Sequence, residues 1–95
     1  MKKLLFNVPT HKSGINLTVR KGIKWSLENE ADVQGLGIVP ITTKVMNFDA
    51  LTEADVCVLE HDPKCRNLTG LFLAMRRAYP DFDEREMVTL VYYES

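Results

Sequence analysis

Asn16, Thr18, Arg20, Lys21, Lys24 and Trp25 fall within one stretch of ten residues, N-L-T-V-R-K-G-I-K-W. Cations suit a phosphate or a carbonyl, an amide and a hydroxyl suit base edges, and the single indole of the chain suits stacking. The first half of the stretch alternates. Successive strand side chains face opposite sides, so Leu17 and Val19 are expected in a core, with Asn16, Thr18 and Arg20 on the opposite surface. Lys21-Gly22 then breaks the strand. The plainer alternative is an amphipathic edge strand whose solvent side is basic.

A second group lies further on, where Glu60, His61, Asp62 and Cys65 form E-H-D-x-x-C. His61 beside Glu60 has the residue types of a general acid–base pair working near neutral pH. Structural zinc takes four ligands in paired spacing, and His11 and Cys57 stand alone, so neither a metal nor another cofactor is expected. The segment reads instead as a turn rich in capping groups. Cys57, between Val56 and Val58, is expected to pack in the core. Gly35-Leu36-Gly37 lacks the third glycine and the following helix of a phosphate loop. Arg66, Arg76 and Arg77 read as solvated cations that extend a basic surface.

The elements that must position these groups follow from periodicity. Leu4–Val8 is a short apolar run stopped by Pro9, expected as a first strand at a sheet edge. Asn16–Arg20 is the alternating strand, and Ser26–Gln34 reads as an acidic loop with at most one helical turn. A strand resumes over Gly37–Val39 and Ile41–Phe48, where neither face is purely polar, as befits a strand with partners on both sides. After Phe48 a helix is expected, capped by Asp49 or Thr52, with Leu51, Val58 and Leu59 on one stripe and its end at Glu60–Pro63. Asn67–Tyr79 is a second helix, with Leu68, Leu71, Phe72, Met75 and Tyr79 on one face and Pro80 as its stop. Asp81–Glu86 is a loop, and Met87–Tyr93 a closing strand. This is an α+β order: a small curled sheet with helices to one side, in a single domain spanning 1–95.

The charges sum to −1, so attraction to a polyanion would be local rather than global. They are unevenly spread: six bases and no acids precede Leu27, and thirteen acids with six bases follow it. That asymmetry suggests a polar molecule with one basic face. The start M-K-K-L-L-F resembles a signal sequence, but Asn7 and Pro9 interrupt the apolar run. With two cysteines and no membrane-length apolar stretch, a cytoplasmic protein with no membrane partner is expected.

The element order and three segments resemble the ASCH family of the PUA-like superfamily of small β-barrels. The segments are G-I-N-L-T-V-R over 14–20, F-D-A-L-T-E over 48–53, and the helix from Leu68 to Pro80 followed by V-T-L-V-Y-Y-E over 88–94. They look most like the N4-acetylcytidine amidohydrolase branch, and short ASCH-like proteins also occur in phage and prophage genomes. The resemblance implies a PUA-like barrel with two helices between the penultimate and last strands. It also implies a cleft for RNA or a nucleoside, floored by Thr18 and Arg20. Thr18 takes the place of that branch's threonine, and Glu60 falls near its glutamate if one residue is inserted before it. The lysine slot falls on Ile15.

Three functions remain open. The first is a basic cleft that binds RNA or a modified nucleoside through Asn16, Thr18, Arg20, Lys21, Lys24, Trp25, Glu60 and His61. The second is an amidohydrolase with Thr18 and Glu60 as catalytic residues, against which Ile15 weighs. The third is a phage-type module that binds a protein partner through Asp81, Asp83, Glu84 and Glu86.

Overall fold

The last strand has no polar side. Val88, Leu90 and Tyr92 alternate with Thr89, Val91 and Tyr93, so both faces need cover. In the computed structural model, which describes residues 1–6 and 10–95, this strand, β5 (Met87–Glu94), lies inside a five-stranded sheet. The other strands are β1 (Lys3–Leu4), β2 (Ile15–Lys21), β3 (Glu30–Val33) and β4 (Gly37–Asn47), in the order β1-β3-β4-β5-β2. β1 and β3 are parallel and the remaining pairs antiparallel. The sheet curls into a half-barrel, and helices α1 (Glu53–Val56) and α2 (Leu68–Ala78) intervene between β4 and β5. The α+β architecture expected from the sequence is the one observed.

β5 separates two cores. On one side Val88 and Leu90 join Leu17, Val19, Phe48, Leu71, Met75 and Phe82 beneath α2. On the other, Val91 and Tyr93 join Leu4, Ala31, Val33 and Ile41, with Trp25 packed against them. The register sets Asn16 opposite Tyr93, Thr18 opposite Val91 and Arg20 opposite Thr89. The polar row of β2 therefore faces inward with the second core, and Asn16 and Thr18 are buried. The expectation of a solvent-facing polar surface is overturned. β2 is an edge strand, but its outer edge is occupied: Leu17 N–H donates to the Leu59 carbonyl at 2.6 Å, and His61 N–H donates to the Leu17 carbonyl at 2.9 Å.

Five local expectations change. The first strand is confined to Lys3–Leu4, and Asn7, Val8 and Pro9 of the expected run lie outside the described residues. The 26–34 segment is not a loop throughout; a 3-10 turn over Lys24–Leu27 leads into β3, whose Ala31 and Val33 are buried. β4 is continuous through Pro40, because its pairing passes at that point from β3 to β5. Proline lacks an amide donor, and a change of partner is where that loss is tolerated. The helix after Thr52 is only four residues long, and Val58 is 65% exposed rather than on an apolar stripe. Thr52 caps it, its N–H donating to Asp55 Oδ2 at 2.7 Å. The chain then leaves the helix so that Leu59–His61 can pair with Leu17. Cys57 is exposed, against expectation, while Cys65 is buried.

α2 and β5 match their expected spans closely, and Leu71 and Met75 are the buried centre of the α2 stripe. Asn67 caps α2 by accepting Gly70 N–H at 2.7 Å.

Candidate ligand site

A cavity of about 310 Å³ opens beside β2, between the Leu5–Phe6 segment, the Glu60–Asp62 turn and one face of α2. Thr18, Arg20, Glu60 and His61 line it, brought together from two segments forty residues apart. Phe6 and Tyr79 supply aromatic walls. The sequence reading places Tyr79 on the apolar stripe of α2 and Phe6 in the first apolar run, so neither shows by type alone that it borders a site.

Glu60 is held there by its backbone. The pairing with Leu17 fixes its position, and Arg66 Nε–H donates to its carbonyl at 2.9 Å. The side chain is only 2% exposed. Burial pushes the carboxyl up to about 8; the Asp62 N–H, 3.3 Å from Oε1, opposes that rise without cancelling it. Near neutral pH Glu60 is thus largely a carboxylic acid. His61 Nε2 stands 3.3 Å from Oε1, and its Nδ1 is bonded to the Thr10 carbonyl at 2.9 Å. Burial holds the His61 imidazole below its ordinary pKa, which favours the neutral ring.

Arg20 is the cationic wall. One guanidinium nitrogen, Nη2, donates to the Leu5 carbonyl at 2.7 Å, and the group lies 5.0 Å from the Phe6 ring centroid. Two buried side-chain polar atoms lack a hydrogen-bond partner among the described residues: Arg20 Nε and Glu60 Oε2. Both residues line this cavity. Buried polar atoms are nearly always paired, so these two are the open hydrogen-bonding positions of the cavity among the described residues.

The other sequence candidates lie elsewhere. Asn16 is consumed internally: Oδ1 accepts from Lys12 N–H at 3.0 Å, and Nδ2 donates to the Lys12 and Gly14 carbonyls at 2.9 and 3.2 Å. Trp25 belongs to the inner core, with Lys2 Nζ 4.8 Å from its ring centroid, and Lys24 is exposed beside it. Lys21 reaches Glu86 at 3.5 Å and lies 5.6 Å from the Tyr79 ring centroid, outside the lining. Of the lysines and arginines, Arg20 alone lines the cavity among the described residues. It is not the strongly basic cleft the sequence suggests. Arg76, expected in solvent, donates from Nη1 to the Phe82 carbonyl at 3.1 Å.

Asp62 is a cap rather than a ligand, its Oδ1 accepting Lys64 N–H at 3.0 Å. Cys65 is no nucleophile: burial, chiefly, pushes its thiol up to about 12. Among the described residues no group of three His, Cys, Asp or Glu side chains is placed to hold a metal, and no helix is long and apolar enough to cross a membrane. No family model, curated protein or solved structure matches the chain.

Proposed function

We propose that the chain is an ASCH-like binding module that takes a nucleoside, free or as a base splayed from RNA, into the cavity between Arg20 and Glu60. The observation that carries this reading is the convergence of two unpartnered buried polar atoms, Arg20 Nε and Glu60 Oε2, on one cavity. Its volume of about 310 Å³ suits a single base with part of its sugar. Phe6 and Tyr79 offer rings against which a flat ligand packs. The exclusion of Lys21 and Lys24 from the lining argues for the base over the phosphate as the anchor. Affinity then depends only weakly on salt, unlike a site built on counterion release.

A second reading, hydrolysis of an acylated nucleoside, draws on the carboxyl of Glu60, whose raised pKa suits proton transfer near neutral pH, and on Thr18 in the same lining. No lysine lines the cavity, and Ile15 is exposed. Without that lysine, binding alone is the stronger proposal.

The test is an amide chemical-shift titration of labelled protein with cytidine, N4-acetylcytidine and a short single-stranded RNA. Shifts are expected on Thr18–Arg20 and Glu60–Asp62. Arg20→Ala should weaken binding by about tenfold or more through loss of a charge-assisted hydrogen bond, while Lys24→Ala leaves it unchanged. Equal losses from the two substitutions would remove the cavity from consideration. Acetate released in the N4-acetylcytidine tube would establish the hydrolytic reading.

A further inference from the structure

The polarity of the cavity is set by a hydrogen bond made outside its lining. The Thr10 carbonyl can only accept, so His61 Nδ1, 2.9 Å away, carries a hydrogen. A neutral ring with Nδ1 protonated keeps its lone pair on Nε2, and Nε2 stands 3.3 Å from Glu60 Oε1. A lone pair and a carboxyl oxygen so placed require one proton between them. Glu60 holds it as O–H or His61 holds it as N–H. In either arrangement the proton lies on the Oε1 side and leaves Oε2 bare. The titratable groups facing this pair are Arg20, His11, Asp62, Cys65, Arg66 and Tyr93, and none of them hydrogen-bonds Oε2. Arg20 Nε, in contrast, is an N–H at every accessible pH. The two orphaned atoms are one acceptor and one donor.

We infer that the site selects an uncharged planar edge on which an N–H donor adjoins a lone-pair acceptor, with the N–H meeting Glu60 Oε2 and the acceptor meeting Arg20 Nε. The amino-and-ring-nitrogen edge of cytosine has this pattern, as does the lactam edge of uracil. The inference rests on the nucleoside reading and adds to it the edge that is read. It also excludes carboxylates: a carboxylate satisfies Arg20 but presents a second acceptor to Oε2, leaving both oxygens unpaired in a buried place. His61 acts here as a positioning residue, because it fixes the proton on the Oε1 side rather than pairing with the edge that is read.

The experiment uses a matched pair: cytidine, and the ribonucleoside of pyrimidin-2-one, which differs only in lacking the 4-amino group. Each is titrated into labelled protein near neutral pH, with acetate as the third probe. Cytidine is expected to bind at least about tenfold more tightly than the pyrimidin-2-one ribonucleoside, because removing the donor strands Oε2. Acetate is expected to leave the Arg20 and Glu60–Asp62 amides unshifted. His61→Phe releases the proton to either carboxyl oxygen, and the cytidine preference should shrink to about twofold or less. Equal affinity of the two nucleosides for the native protein overturns the edge assignment while leaving the cavity as a nucleoside site. Absence of binding by both overturns the assignment and the nucleoside reading together. The native pair decides the matter even where His61→Phe fails to fold.

Discussion

Glu60 is the residue at which function and stability conflict. Its folded carboxyl titrates near 8 against an ordinary 4.5, so the folded chain holds a proton that the unfolded chain releases over that interval. The stability this contributes is complete below about pH 4.5 and is lost as pH rises through about 8. His61 has the opposite sign: its pKa is held below 6.5, so its contribution is complete above that value and declines as pH falls. Between pH 6.5 and 8 the Glu60 limb therefore acts alone. Thermal unfolding midpoints should fall steadily across that window, by a free energy on the order of 2 kcal/mol. Glu60→Gln keeps the shape and removes the titration, so its profile should be nearly flat there and the variant more stable than the native chain at the alkaline end. A native slope that persists in Glu60→Gln would show that another group titrates. The same substitution should weaken nucleoside binding only modestly, since an amide oxygen also accepts.

At the scale of elements, α2 forms one wall of the cavity, and Gly70 determines how closely its first turn approaches the Pro63–Cys65 turn. A Cβ built on Gly70 would stand 2.0 Å from the Lys64 carbonyl oxygen, a backbone atom that cannot swing aside. Alanine is worth about 1 kcal/mol over glycine in a helix. Relieving the overlap costs more, typically ~1–3 kcal/mol even after relaxation, so clash wins. Gly70→Ala should lower the urea midpoint and shift the Cys65 and Glu60 amides; a stabilised variant would mean that the two turns are further apart. Such a contact is invisible in sequence, where Gly70 is merely a poor helix residue. Legibility follows the same line elsewhere. α2 was readable because five apolar residues recur at helical spacing on one face, and β5 because β-branched and aromatic residues run unbroken. β3 was not, since Glu30 and Asp32 have low strand propensity and only the burial of Ala31 and Val33 decides the matter. α1 was overestimated for a related reason: Val56–Leu59 has helical periodicity, but tertiary pairing with Leu17 takes its end. The cavity was half legible. Thr18, Arg20, Glu60 and His61 could be nominated by type. Asn16 and Trp25 could be excluded only after their hydrogen bonds and packing were known.

For the molecule as a whole, β5 lies in both cores, and this determines how the fold is lost. Its odd and even residues belong to different clusters, so neither layer can come apart without stripping one face of the shared strand. The radius of gyration of 12.2 Å is that of a chain too small to keep half a core on its own. The charge asymmetry of the sequence does not divide the fold either, because the basic β2 lies directly against β5 and Lys21 meets Glu86. Trp25 reports the inner layer by its fluorescence, as the single Trp packed there, while far-ultraviolet circular dichroism reports α2 in the outer layer. Denaturation followed by the two signals should give coincident transitions with one midpoint and one slope. Leu90→Ala and Val91→Ala remove side chains from opposite faces of β5. Each should cost ~2–4 kcal/mol and move both signals equally, whichever layer the deleted side chain belongs to. Separation of the two curves in either variant would show that the layers melt independently, and that the cavity, whose lining comes from β2 and α2, opens before the inner core does.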